Sequence, residues 1–402
     1  MSEAAEVVFL QTSDWHVGSA LRRGPFVPPS PLAEERRAEM DGAPERAVAA
    51  AREAGVHALL VPGDLWDAES LGADVLHRML EAFASFDGPV FIAPGNHDFA
   101  GPGGFYDPHV LRVLGMRSWP ENVHVFRDPE FRTVRFPGRD DVSLTGRAFL
   151  SPAVVEERPF ASLPRPVEGR LNVLMVHGSY ESYGGSDRPS GKKRTAPFSR
   201  EELLAAGYDW VALGHHHHLS VVEDDDGVPR AAYSGSPTGR GADECGPRYF
   251  LRVALATGAP PDVRLVPADH RVLHELSLDV TGLEGPGLAS SLVELLDDAG
   301  VSPRDFVNVT FTGHVPHGAR PLAALANLGT RAAHVSGRDR SRPPLPPESS
   351  LRTAEERFVT DLLSRLASAE DERSRRVLEL ALALGRDALS GRELLPPEPE
   401  AL

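Results

Sequence analysis

Val90-Phe91-Ile92-Ala93-Pro94-Gly95-Asn96-His97-Asp98 is the stretch on which the reading of this chain turns. Its four leading apolar residues read as a short buried strand. Proline and glycine turn the backbone, and three polar side chains follow at once. Asn96 offers a neutral carbonyl oxygen that can ligate a metal. His97 can hold or release a proton near neutral pH. Asp98 can hold an imidazole in one orientation and raise its basicity. Taken alone, Asn-His-Asp after glycine is also an ordinary turn composition. Its meaning depends on whether other strands end the same way.

They do. Residues 7–10 lead to Asp14-Trp15-His16, and residues 57–61 lead to Gly63-Asp64-Leu65-Trp66-Asp67. Residues 171–176 lead to His177-Gly178, and residues 210–213 lead to Gly214-His215-His216-His217-His218. Helical composition fills 34–54. Apolar residues at helical spacing (Val75, Leu76, Met79, Leu80, Phe83) fill 73–86. Strand, helix, strand, helix, strand implies an α/β fold of βαβ units with a parallel sheet. Open α/β sheets place their sites at the carboxyl ends of the strands.

From 122 to 147 the pattern changes to short alternating strands, expected to form an antiparallel second half. Ser199 with Glu202 predicts a capped helix start. Beyond Pro267 a strand, helix, strand, helix pattern predicts a smaller α/β unit without a metal-type cluster. The expected domains are 1–267 (catalytic), 268–337 (small α/β), 338–350 (linker), 351–395 (helical) and 396–402 (tail).

A length of 402 residues suggests two or three domains. The formal net charge of -16 argues against a broad nucleic-acid-binding surface, which needs clustered basic residues. A local basic strip remains compatible with it. The chain's lysines are the neighbours Lys192 and Lys193, followed by Arg194. Their loop lies between the fourth and fifth clusters and is a candidate for touching a phosphate backbone, or is simply solvated. The single cysteine, Cys245, excludes an intramolecular disulfide and a cysteine-based zinc site. No apolar run is long enough to span a bilayer. The acidic start of the chain does not read as a signal peptide. A cytoplasmic protein with no membrane partner is expected.

Apart from His97 and Asp98, the strand ends supply oxygens from Asp14, Asp64 and Asn96 and imidazoles from His16, His177, His215 and His217. That set suits two metal ions about 3.5–4 Å apart sharing one carboxylate. Asp64 is the best bridging candidate. In Asp14-x-His16 and His215-x-His217 the residues are two apart, which on an extended backbone places both side chains on one face. Mixed nitrogen and oxygen ligation suits manganese, iron or zinc better than calcium or magnesium. Such a centre supports phosphoester hydrolysis, with His97 protonating the leaving oxygen and Asp98 orienting His97.

In order, the motifs are Asp-x-His, Gly-Asp-x-x-Asp, Gly-Asn-His-Asp, His-Gly and Gly-His-x-His, and over residues 7–218 they resemble those of the calcineurin-like metallophosphoesterases. Four features more narrowly resemble the SbcD-type DNA-repair exonucleases. These are the long helix before His57, the approach to His215 from Tyr208, the later Tyr233-Ser234-Gly235-Ser236-Pro237, and the small α/β unit. The resemblance implies a four-layer α/β/β/α sandwich with a small α/β cap and a helical C-terminus. It further implies a manganese-dependent DNA nuclease, with iron, zinc or magnesium as alternatives, working with an SbcC-type ABC ATPase and forming a homodimer. Carried over by residue, Asp14, His16, Asp64 and His217 hold one metal, and Asp64, Asn96, His177 and His215 hold the other. His97 is then the catalytic histidine.

This chain departs from the pattern in having four consecutive histidines. The family spacing selects the first and third, leaving His216 pointing away and His218 in a turn. Asp67 is expected to support the site. Trp15 and Trp66 are expected to pack beneath it. Two other classes stay open: a small-molecule phosphodiesterase or phosphatase on the same centre, and a non-catalytic scaffold, which would be expected to have lost ligands. The helices expected over 353–389 suit a partner-docking or dimer surface, or packing on the catalytic domain.

Overall fold

The computed structural model describes residues 6–19, 21, 24–67, 71–153, 157–185, 194–316, 319–342, 353–369 and 371–389. Lys192, Lys193, most of the expected linker and the expected tail lie outside the described residues.

The chain runs β1 (Val7–Gln11), α1 (Leu32–Asp41), α2 (Ala43–Glu53), β2 (Ala58–Val61), α3 (Ala73–Ala84), β3 (Val90–Ile92), α4 (Pro108–Val113) and β4 (Val123–Val125). It continues with β5 (Arg132–Phe136), β6 (Arg139–Gly146), β7 (Leu171–His177), α5 (Arg200–Ala205), β8 (Trp210–Gly214), β9 (Ser220–Glu223) and β10 (Pro229–Tyr233). Then come β11 (Tyr249–Leu255), β12 (Asp262–Pro267), β13 (Leu273–Asp279), α6 (Pro286–Asp298), β14 (Phe306–Thr312), β15 (His334–Asp339), α7 (Ala354–Ala367) and α8 (Glu372–Leu389).

A first six-stranded sheet has the order β12-β11-β1-β2-β3-β4, and a second the order β5-β6-β7-β8-β10-β9. In the first, β1, β2, β3 and β4 are parallel and β11 runs antiparallel to β1. In the second, β6, β7, β8 and β10 are parallel, and β5 and β9 close the edges as antiparallel strands. The segment expected to be one antiparallel half is therefore divided. The chain crosses over through α4, so β4 joins the first sheet in parallel, as crossover connections do, and β5 and β6 begin the second sheet. A third sheet orders β13-β14-β15. β15 occupies residues that had read as the start of a linker.

Three apolar clusters make four layers. Leu10, Leu59, Val61 and Ile92 face α2 and α3, against Ala47, Val48, Met79 and Phe83. Phe9, Leu60 and Phe91 face the other way and meet Leu144, Val173, Met175 and Trp210 of the second sheet. The outer face of that sheet, with Leu174, Val211 and Leu213, is covered by Phe198 and Leu203. Strands buried on both faces read as continuous apolar runs, as β1 and β8 do. Each fully buried Phe or Leu in these layers contributes roughly 1.5–3 kcal/mol.

The expected single helix over 34–54 is two helices. Pro44 sits in the first turn of α2 and has no N–H to offer the preceding turn, so α1 ends at Asp41 and Gly42 carries the joint. The structure divides into two compact units. One is Met1–Ser277 with Ser290–Thr310 and Leu325–Arg338, and the other is Leu278–Ala289 with Phe311–Ala324 and Asp339–Leu402. The site lies wholly within the first. Among the described residues no helix is long and apolar enough to cross a membrane.

Candidate metal centre

Register brings the strand ends to one edge. Gln11 lies beside Leu60, Val61 beside Ile92, and His177 beside Gly214. Beyond the ladders the loops stay bonded to one another: Asp14 N–H donates to the Gly63 carbonyl (3.1 Å) and His16 N–H to that of Asp64 (3.1 Å). His215 N–H donates to Asp14 Oδ1 at 2.9 Å, tying the end of the second sheet to the end of the first. Four of the candidate ligands hold a left-handed backbone, with φ of 55° at Asp14, 47° at His16, 56° at Asp64 and 108° at His215. Non-glycine residues there cost about 1–3 kcal/mol each and persist only where surroundings enforce them. Gly63 allows a close approach: a Cβ there would meet Gly95 N at 2.6 Å and His177 Nδ1 at 2.7 Å.

Three overlapping groups converge, Asp14–His16–His217, His16–Asp64–His97 and Asp64–His177–His215, with ligand atoms of each within 4.8 Å of one another. Asp64 and His16 are each shared by two groups, so the set makes one binuclear array. Asn96 Oδ1 lies 3.1 Å from His177 Nε2, which is 3.4 Å from Asp64 Oδ2. All seven residues expected as ligands therefore meet here.

The outer nitrogens of three rings are anchored. His16 Nδ1 is 2.7 Å from Asp67 Oδ1, His177 Nδ1 is 3.0 Å from the Pro62 carbonyl, and His217 Nδ1 is 2.8 Å from Glu244 Oε1. Anchoring of this kind fixes the tautomer that leaves Nε2 as a ligand. His16 Nε2 is buried with no hydrogen-bond partner. A buried nitrogen left bare among carboxylates is what a metal site requires. Burial, helped by the Arg240 charge, holds the His16 imidazole down at about 3, and burial with the neighbouring His177 lowers His215. Both rings are thus neutral, the form that binds metal. Burial pushes the Asp14 carboxyl up to about 6. Burial would raise Asp64 too, but His177, His16 and His97 bring it well below the usual range. The same Asp64 charge overcomes burial at His177 and raises it to about 9. The residues present therefore fit two divalent cations with mixed nitrogen and oxygen ligands.

His97 stands at the rim, with 47% of its side chain exposed and its Nδ1 2.9 Å from Asp67 Oδ1. That bond raises the His97 pKa. The expectation that Asp98 orients His97 is corrected. Asp98 Oδ1 accepts N–H groups from Asp64 (2.9 Å) and Gly95 (2.6 Å), and Oδ2 accepts from the Tyr106 hydroxyl (2.8 Å). The residue next to a histidine in a tight turn points away from it, so Asp98 stitches two strand-end loops together and Asp67, from the neighbouring loop, holds His97. Asp67 thereby serves both His16 and His97.

His216 is buried and stacked on Tyr183, with ring centroids 3.6 Å apart. His218 Nε2 meets the Asp243 carbonyl at 2.6 Å. Trp15 and Trp66 are buried beneath the site, Trp15 against Phe83 and Trp66 against Tyr106 and Trp119. Arg194, the described member of the basic loop, approaches the Glu181 carbonyl at 3.5 Å. Sequence reasoning missed Arg240 and Glu244. They lie in an aperiodic loop, and their spacing of four around a short 3-10 turn was the available signal.

A family model described as calcineurin-like phosphoesterase matches residues 7–219. The uncharacterized metallophosphoesterase YhaO of Bacillus subtilis (strain 168) is 27% identical over 258 residues, which are 63% of this chain and 58% of YhaO. The chain thus spans less than two thirds of that relative's length. A dimetal phosphatase from Danio rerio aligns at 12% identity over 65% of this chain and 99% of its own, with a TM-score of 0.37. The purple acid phosphatase PPD1 from yellow lupin (Lupinus luteus) seeds aligns at 12% over 67% of this chain and 55% of its own, with a TM-score of 0.37. With the family model spanning more than half of the chain and all five of its strand-end clusters, this chain belongs to the calcineurin-like phosphoesterases.

Proposed function

We propose that this phosphoesterase hydrolyses phosphodiester bonds of DNA, as a two-metal exonuclease or endonuclease subunit in DNA repair. The observation that carries the hydrolytic reading is the shared position of Asp64 and His16 between converging ligand groups, with His97 beside them at the rim. When bound, two divalent ions, manganese first among them, supply an activated water and neutralise the phosphate. Asp14, His16, Asp64 and His217 would hold one, and Asp64, Asn96, His177 and His215 the other. His97 donates Nδ1–H to Asp67, which leaves its Nε2 to protonate the leaving oxygen. Asp67 stabilises the protonated ring that this step uses.

The DNA substrate, the SbcC-type ABC ATPase partner and a homodimeric state rest on the resemblance of the 208–215 approach, the 233–237 turn and the small α/β unit to SbcD-type nucleases. The single cysteine fits a reducing cytoplasm. A small-molecule phosphodiesterase is the second reading, favoured by the net charge of -16, which repels a polyanion.

The test is manganese-dependent degradation of end-labelled linear duplex DNA by the purified chain, beside His97→Ala and Asp64→Ala. Cleavage by the wild type, lost in both variants, is the expected result. Hydrolysis of a chromogenic phosphodiester without any DNA cleavage, persisting after an SbcC-type ATPase is added, would establish the second reading instead.

A further inference from the structure

We propose that Glu244, backed by Arg240, is a positioning residue for His217 and sets the affinity of the metal position that His217 serves. The inference rests on the dimetal reading above. It concerns residues beyond the 7–219 span that the family model matches.

Glu244 is fully buried, with Oε1 2.8 Å from His217 Nδ1. Its carboxylate is itself held. Arg240 Nη2 donates to Oε1 at 2.6 Å, Arg240 Nε reaches Oε1 at 3.2 Å and Oε2 at 3.1 Å, and the Arg240 backbone N–H donates to Oε2 at 2.8 Å. Arg240 Nη2 also lies 3.0 Å from His217 Nδ1. One ring nitrogen cannot donate to Glu244 and accept from Arg240 at once. Arg240 Nη2 has two hydrogens to give, but the Glu244 carboxylate can only accept, so its 2.8 Å contact with Nδ1 requires hydrogen on Nδ1; Nδ1 donates, and the Nε2 lone pair is left for a metal beside Asp14 and His16.

The loop that carries the pair is pinned. Ser236 N–H donates to the His217 carbonyl at 3.0 Å, and Arg248 Nη1 donates to the same carbonyl at 2.6 Å. Gly239 N–H donates to Asp269 at 3.0 Å. Burying two charges is costly, and removing one of them would leave the other buried and uncompensated. Glu244 does two things here: it orients the ring, and it cancels an arginine charge that would otherwise repel a cation in its neighbourhood. The other anchored rings lean on different acceptors, His177 on a carbonyl and His16 on the partly exposed Asp67.

The experiment measures Mn2+ binding by titration calorimetry, with stoichiometry from metal analysis, for wild type, Glu244→Gln and the double variant Arg240→Gln/Glu244→Gln. The double variant removes both charges together and leaves none stranded. The wild type should bind two ions. Both variants should bind one of them about 10- to 100-fold more weakly and the other unchanged, as loss of a ligand's anchor does. Wild-type affinity at both positions in folded variants would overturn the proposal, as would equal loss at both. A wild type that binds no pair of ions would instead sink the dimetal reading. Should neither variant fold, nitrogen-15 imidazole spectra of the Zn2+-loaded wild type decide: His217 must show protonated Nδ1 and metallated Nε2, and the reverse assignment overturns the role of Glu244.

Discussion

Two buried polar clusters in the first unit differ in whether they are complete. In α1, Arg36 donates to both oxygens of Asp269 (2.9 and 2.8 Å), to Glu39 Oε2 (2.9 Å) and to the Gly239 carbonyl (2.6 Å). Arg271 joins it through Glu39 and Glu35. Charges of both signs are present, and only the Nε of Arg36 is left without a partner. At the strand ends, carboxylates and imidazoles face one another with His16 Nε2 bare, and four residues hold left-handed backbone. The first cluster is closed by its own arginines. The second closes only when cations enter. Burial and polarity are alike in the two, and each leaves one buried nitrogen bare; the arginines that bind the brace's carboxylates and the backbone strain of the strand ends separate a brace from a site.

That contrast predicts different failures. The largest effect belongs to the open cluster. Asp64→Ala removes the oxygen shared between ligand groups and should bring phosphodiester hydrolysis down to background, while His97→Ala should cost about 10²–10⁴ in kcat, the range of a lost general acid. Steady-state rates on a chromogenic phosphodiester measure both, and near-wild-type turnover in either would contradict the roles drawn for them. In the closed cluster, Arg36→Met takes the guanidinium from Asp269, while Glu39 keeps Arg271, and should destabilise the fold by about 3–5 kcal/mol, read from denaturant midpoints. Mn2+ should not restore what is lost.

Asp67→Asn tests the join between chemistry and support. The amide can still accept from His16 and His97 but no longer carries charge, so hydrolysis should fall by about 10- to 100-fold. The alkaline limb of the pH–rate profile, where His97 loses its proton, should move to lower pH as well, because Asp67 is what raises the His97 pKa. An unmoved profile would return the orienting role to another group.

Most of the ligand set was legible because each strand end carries its ligands within three to five consecutive residues. The buried strands were legible for a related reason, since apolar runs bounded by glycine and aspartate have few other readings. What escaped was set by contacts between residues distant in sequence. Asp67 and His97 are 30 residues apart in number, and Asp98 looked like the partner because it is adjacent. Adjacency in a turn sends the two side chains different ways. His217 and Glu244 are separated by 27 positions and an aperiodic loop, so no spacing rule joins them. The sheet assignment of β4 failed similarly, because three residues carry no information about which sheet they join.

The smallest expected effect is on the pH dependence of stability. Burial alone would raise the Asp269 carboxyl, but Arg36, by charge and hydrogen bond, and Gly239 N–H bring it below the usual range. A carboxyl whose folded pKa lies below its unfolded value of about 3.9 contributes stability that is fully present above that value and lost as pH falls through the folded one. In Arg36→Met, burial dominates and the folded pKa rises above the unfolded one, so protonation now favours the fold. The wild-type advantage should therefore be largest at neutral pH and shrink as acid is added toward about pH 4. Urea midpoints from neutral to acid pH, in chelator so that the metal centre does not contribute, measure it. An advantage constant with pH would mean that Arg36 holds some group other than Asp269. The brace would then owe its closure to Glu39 and the Gly239 carbonyl, and the contrast with the metal centre would lie in backbone strain alone.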